Sequence, residues 1–180
     1  TTPVLGFVYK ATPALNLYAS AARGFESPTL NELFYSGSGG GFNFDLKPAR
    51  SAHLELGAKL LIGNDTRLDL ALFHVSTRDE LVVDSAFGGR TSYRNASRTR
   101  RNGVELEADT KWTSSLSSHF ALTRLLAEYA ADFTTGAATI DAGNRLPGVP
   151  ATTLFGDLVW KHAASGISAA VEGIYRSEVY

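Results

Sequence analysis

Apolar and polar side chains alternate along almost the whole chain. Leu54, Leu56, Ala58 and Leu60 alternate with Glu55, Gly57 and Lys59, and Leu68, Leu70 and Leu72 with Asp69, Ala71 and Phe73. In the stretch RTRRNGVELEADTKW, residues 98–112, Val104, Leu106 and Ala108 interleave with Glu105, Glu107 and Asp109. Successive side chains of a strand point to opposite faces. The apolar set therefore lies on one side and the acidic set on the other. Reading such runs as strands predicts about eight of them, near 4–10, 15–24, 51–62, 67–79, 92–112, 118–130, 151–162 and 167–180. Several match or exceed the roughly 9–11 residues of a tilted bilayer-spanning strand, against about 5–6 in an ordinary sheet.

The segments between strands fall into two kinds. Four are short: ATPA at 11–14, GNDT at 63–66, TSSLS at 113–117 and AASG at 163–166. Three are long, at 25–50, 80–91 and 131–150, and the two kinds alternate. The short ones recur roughly every 50 residues, as an up-and-down meander requires. Transmembrane barrels sort their connections this way, with short turns at one end and long loops at the other.

Each strand then separates two solvents. The apolar stripe faces lipid and the charged stripe faces a wide aqueous lumen. A dry core would exact several kcal/mol for carboxylates at 105, 107 and 109 unless they were paired. Lysine and arginines on neighbouring strands are candidate partners. Trp112 and Trp160 each stand just before a short turn, where an aromatic girdle belongs. Strand 118–130 leaves its orientation open, since the face of Phe120, Leu122 and Leu126 also carries Arg124 and Glu128.

Composition narrows the field. With 180 residues and a net charge of -1, the chain has no bulk attraction to nucleic acid. It has no Cys, which removes disulfides, thiolate metal sites and thiol nucleophiles, and no Met, so it reads as a segment of a longer protein. No apolar run reaches the roughly 18 residues of a membrane-spanning helix. The mean hydropathy of -0.06 remains compatible with a membrane barrel, whose strands are polar on one face.

Candidate chemistry is sparse. Glu105 and Glu107 lie about 7 Å apart along a strand, a spacing that invites a glycosidase reading on a soluble β-sandwich. A solvated lumen face accounts for them better. His53, His74, His119 and His162 show no metal-ligand spacing. SGSGGG at 36–41 lacks the Lys and Ser/Thr of a phosphate loop and reads as a loop crest. RTRR at 98–101 alternates beside three acids and reads as a lumen or rim feature.

Longer motifs carry a resemblance. ARGFESPTLNELF (22–34) is followed by FDLKPARSAHLELGAK (44–59). Arg23, Gly24, Phe25, Pro28, Glu32 and Leu33, then Leu46, Pro48, Glu55 and Gly57, match paired motifs in the barrels of TonB-dependent outer-membrane receptors, with Ala49 in place of the usual Glu. YRNASRTRRNGVELEA (93–108) and GNRLPGVPATTL (143–154) match further motifs of the carboxy-terminal half. The resemblance implies that residues 1–180 form part of the barrel of such a receptor. The fold would be all-β, an antiparallel meander of about eight strands within a transmembrane barrel of about 22. The amino-terminal plug, the TonB-binding region and the last strand would lie outside the chain.

The implied activity is TonB-dependent uptake of a ferric siderophore or similar iron complex at the bacterial outer membrane. The resemblance implies no catalytic residue, resident cofactor or metal, and no nucleic-acid partner. Its partners would be the iron complex, TonB and outer-membrane lipid. Haem receptors usually place a His between the two paired motifs, and none stands between Phe25 and Leu46. The loop aromatics Phe34, Tyr35, Phe42 and Phe44 are candidates for ligand contact. A pore not coupled to TonB and, further off, a soluble glycoside hydrolase remain as rival readings.

Overall fold

The computed structural model describes residues 1–34, 41–135 and 138–179. Its strands are β1 (Val4–Lys10), β2 (Leu15–Glu26), β3 (Ala49–Ile62), β4 (Thr66–Phe87), β5 (Arg90–Lys111), β6 (Leu116–Tyr129), β7 (Phe133–Thr135), β8 (Ala138–Ile140), β9 (Thr152–His162) and β10 (Ile167–Arg176). One helical turn, α1 (Leu30–Leu33), lies between β2 and β3. Eight strands form an antiparallel sheet in the order β1-β2-β3-β4-β5-β6-β9-β10, and β7 and β8 form a separate small hairpin. The up-and-down meander follows directly from the alternating stretches and the turns between them.

Directly opposed residues on antiparallel strands share a face, so the register sorts the side chains. One row across all eight strands reads Tyr9, Leu17, Ala58, Leu70, Leu106, Leu122, Leu154 and Tyr175. The next row, on the opposite face, reads Lys10, Asn16, Lys59, Asp69, Glu107, Ala121, Phe155 and Ile174. The first face is the outer, apolar one and the second the inner, polar one. Leu56, Leu72 and Val104 share an outer row. The outer band runs from the Leu116–Trp160 row to the row of Leu54, His74, Asn102 and Leu126. From Leu116 to Leu126 that is roughly 34 Å of strand, or about 25 Å after tilting, the height of a lipid-facing band.

The register settles strand 118–130. Phe120, Leu122, Arg124, Leu126 and Glu128 oppose Ala108, Leu106, Val104, Asn102 and Arg100 and lie on the outer face. Arg124 stands one row below the upper margin of the band and donates to the Thr152 hydroxyl. Glu128 lies one row above that margin and is ion-paired with Arg100. Trp112 and Trp160 are both exposed near the short turns, and the Trp112 indole donates to Ser118 at 2.9 Å.

The four short turns stand where the sequence puts them, but the connection at 80–91 does not. β4 continues to Phe87 and β5 starts at Arg90, leaving only Gly88 and Gly89, both with positive φ (59° and 74°), to reverse the chain. Gly-Gly between β-prone runs is a tight-hairpin signal. The polar residues Asp79, Glu80 and Asp84 obscured it by breaking the alternation. Asp79 has φ 56°, a left-handed conformation that aspartate tolerates. Past it the faces shift: Glu80 accepts from Thr99 and Arg101 on the inner side, where plain alternation would turn it outward. The segment 131–150 also gains structure, since it contains the β7–β8 hairpin. Ala96, Ala127, Tyr129 and Leu146 form a small buried cluster at this end of the sheet, packed against Val82, Leu125, Phe133, Ile140 and Val149.

Candidate ligand-contact site

The segment after β2 is organised by a capping box. Thr29 caps α1, its hydroxyl accepting from the Glu32 amide while the Glu32 carboxylate accepts from the Thr29 amide at 2.6 Å. The Leu33 carbonyl then accepts from the Asn43 amide at 2.6 Å. That clasp brings three of the expected aromatics together. Phe34 meets Phe42 edge to face at 5.4 Å between centroids, and Phe42 stacks on Phe44 at 5.6 Å. All three remain exposed, Phe44 at 80%. Tyr35, the fourth expected contact, lies outside the described residues.

The loop is tied to the long β4–β5 ribbon. Asn43 donates to the Tyr93 carbonyl at 3.3 Å, and Asn95 exchanges hydrogen bonds with the Lys47 backbone, both at 2.8 Å. Asn95 also donates to the Asp79 carbonyl at 2.7 Å. Leu46 and Ala49 are buried beside this seam. The exposed aromatic cluster therefore stands on a braced loop at the end of the sheet opposite the short turns.

The inner wall below is polar and internally paired. Tyr18 donates to Glu55 at 2.7 Å, Lys59 lies 3.6 Å from Asp69, and Arg67 is ion-paired with Asp69. Above the lipid-facing band, Arg101 donates to Glu80 at 2.9 Å. Burial alone would push the Glu80 carboxyl up. The hydrogen bonds from Arg101 and Thr99, with the Arg101 charge, outweigh burial and hold it below its ordinary value.

Near the short-turn end, Glu107, Asp109 and His119 offer ligand atoms that all lie within 4.8 Å of one another. His119 Nδ1 lies 2.9 Å from Asp109 and 3.9 Å from Glu107. Sequence spacing could not foreshadow this trio, because His119 reaches the two acids only through its cross-strand pairing with Asp109. One imidazole and two carboxylates could hold a divalent cation, though the hydrogen-bonding contact of His119 with Asp109 already accounts for the grouping. Glu105 and Glu107 lie on this open inner face, opposite Ala71 and Asp69 on β4.

Residues 1–176 match the family model described as "TonB dependent receptor-like, beta-barrel". The chain belongs to this family. TonB-dependent receptors are outer-membrane β-barrel transporters, not enzymes, which removes the hydrolase reading of Glu105 and Glu107. Among curated proteins, the chain is 29% identical over 150 residues to the metal-pseudopaline receptor CntO of Pseudomonas aeruginosa, covering 83% of this chain and 19% of that receptor. Among solved structures, it resembles the siderophore receptor PiuA from Acinetobacter baumannii, with TM-score 0.72, 20% identity, and coverage of 98% of this chain and 26% of PiuA. It also resembles the FrpB iron transporter from Neisseria meningitidis, with TM-score 0.68, 16% identity, and coverage of 97% of this chain and 26% of FrpB. The chain thus spans about a fifth to a quarter of the length of these receptors.

Several motif residues of this TonB-dependent receptor segment have a visible physical role. Glu32 closes the capping box. Glu55 accepts from the Tyr18 phenol, whose ring lies over Gly57, so that a Cβ at position 57 would fall inside it. Gly103, in the RRNGVELEA stretch, leaves the same kind of space for the Phe73 ring. Leu146, in GNRLPGVP, sits in the buried cluster at the loop end.

Proposed function

We propose that the receptor containing this segment takes up a ferric siderophore or a similar iron complex through TonB, and that Phe34, Tyr35, Phe42 and Phe44 contact that ligand. The observation that carries the reading is the exposed Phe34–Phe42–Phe44 cluster on a loop braced by Asn43 and Asn95. Aromatic rings held this way offer large rigid contact area at small entropic cost. The similarity to CntO, a metal-pseudopaline receptor, to PiuA, a siderophore receptor, and to FrpB, an iron transporter, supports a metal-complex cargo. In this reading residues 1–180 supply part of the receptor's barrel.

Growth of a receptor-null strain carrying the full gene tests this directly. Under iron limitation, a ferric siderophore should restore growth only where TonB is present. Growth independent of TonB would mark an uncoupled pore instead. In the purified receptor, Phe42→Ala with Phe44→Ala should raise the siderophore Kd about tenfold, ~1.4 kcal/mol. Unchanged affinity would remove the aromatic cluster from the ligand site.

A further inference from the structure

On the inner wall near the short turns, the register sets Asp109, His119 and Asp157 directly opposite one another on β5, β6 and β9. Glu107 lies on the same face, two positions along β5 from Asp109. The contact of His119 Nδ1 with Asp109, at 2.9 Å, explains two of these groups. It does not explain Glu107, whose carboxylate lies 3.9 Å from the same nitrogen, or Asp157 on the other flank of β6. The cations at hand do not neutralise them. Arg67 stands directly opposite Asp109, yet it is ion-paired with Asp69, which also draws Lys59. Lys111 lies two positions beyond Asp109 and, among the described residues, makes no ion pair with these acids. Three carboxylates are left around one imidazole. Asp109, His119 and Asp157 also border a polar hollow of about 300 Å³ beside the β3–β4 turn, room for an ion together with its waters.

We propose that Glu107, Asp109 and His119 bind a divalent first-row transition-metal ion of the Zn²⁺ type, with Asp157 as a further oxygen donor beside it. The donor set selects the class of ion. Imidazole suits Zn²⁺ and its neighbours, whereas Mg²⁺ and Ca²⁺ take oxygen ligands. Bonds of about 2.0–2.2 Å from such an ion place neighbouring donors roughly 3.0–3.5 Å apart. The Nδ1 separations of 2.9 and 3.9 Å bracket that range, and all three ligand atoms lie within 4.8 Å of one another. Rotation of the exposed Glu107 side chain closes the set. The ion takes Nδ1 of the neutral ring, and the ring proton then sits on Nε2. Phe155, whose ring centroid lies 5.8 Å from that of His119, steadies the imidazole. A bound ion ties β5 to β6 beside the short turn that joins them. The site lies at the opposite end of the sheet from the Phe34–Phe42–Phe44 cluster and takes the bare ion, so it stands apart from the reading of the cargo.

The test uses the intact receptor, purified without a histidine tag, stripped with chelator and dialysed against Zn²⁺ alone. Elemental mass spectrometry counts the ions retained. The unchanged receptor should hold one more Zn²⁺ per molecule than His119→Gln or the isosteric pair Glu107→Gln with Asp109→Asn. Titration should show binding at that site at least tenfold weaker in either variant, and millimolar Mg²⁺ should not displace the ion. His53→Gln with His162→Gln, away from the cluster, should leave the count unchanged. Equal counts in the unchanged receptor and the cluster variants overturn the proposal, and would leave the carboxylates to a basic side chain elsewhere in the receptor. Displacement by Mg²⁺ overturns it too. Should the cluster variants fail to fold, a nitroxide at Asn64→Cys, on the rim of the same hollow, reads the site with all three donors in place. Its signal should broaden when one equivalent of Co²⁺ replaces Zn²⁺, and an unbroadened signal rejects the site.

Discussion

Gly57 is glycine because the Tyr18 ring occupies the volume where its side chain would stand. The ring is fixed in turn by the hydrogen bond from its hydroxyl to Glu55. A methyl group at position 57 must displace an aromatic ring anchored at both ends, and overpacking of that kind costs about 1–3 kcal/mol. Gly57→Ala should therefore lower the stability of the receptor in urea titrations in lipid vesicles. Gly6→Ala should not, because nothing lies within 4 Å of a Cβ there. Replacing Tyr18 by Ala in the Gly57→Ala background should recover part of the loss, and simple additivity of the two changes would disprove the ring contact. On the outer face the relevant chemistry is lipid. Leu70 sits mid-row with Ala58 and Leu106, and Leu70→Arg should cost about 2–4 kcal/mol in the same titrations. A spin label at position 70, but not one at 69, should be accessible to oxygen dissolved in lipid.

The β4–β5 ribbon shows how far strand reading from sequence reaches. Alternation is legible wherever one solvent is lipid and the other water, so the membrane-level parts of 67–79 and 92–112, up to His74 and from Asn102, read clearly as strands. Above the membrane both faces meet water or loops, the contrast disappears, and 80–91 reads as a long loop although it is a tight hairpin. The Phe34, Phe42 and Phe44 cluster could be anticipated only as a set of loop aromatics. Its geometry depends on Asn43 and Asn95, whose hydrogen bonds span about 50 positions of sequence. The Glu107–Asp109–His119 trio was hidden for the same reason, since it needs the register between β5 and β6. Within the ribbon, Glu80 titrates below the ordinary carboxylate value of 4.5. A carboxyl depressed in this way contributes stability that is present above the ordinary value and lost as pH falls through the folded one. A spin label introduced at Ser85→Cys should therefore gain mobility as pH drops below about 4.5. Glu80→Gln should show that mobility already at neutral pH, since the Arg101 charge then lacks its partner. A label whose mobility is independent of pH would show that the Glu80–Arg101 pair does not hold the ribbon.

At the scale of the whole molecule, β1 and β10 are the two edges of the sheet, each offering unpaired backbone groups. The outer face adds exposed Leu54, Leu56 and Leu72. The isolated 180-residue chain should self-associate in water, by light scattering, and should not bind a siderophore. A monodisperse monomer with micromolar affinity would make it a complete binding domain. The ribbon carries a consequence for the cell surface. From Val75 to Phe87, β4 runs on past the upper margin of the lipid band, roughly 40 Å along the strand and about 30 Å in height after tilt. The crest of this ribbon is Phe87, 89% exposed, beside two glycines. The tip is therefore a surface that antibodies approaching the bacterium would reach. An epitope inserted between Gly88 and Gly89 should be stained on unbroken cells, whereas the same epitope at Asn64 should require the outer membrane to be opened.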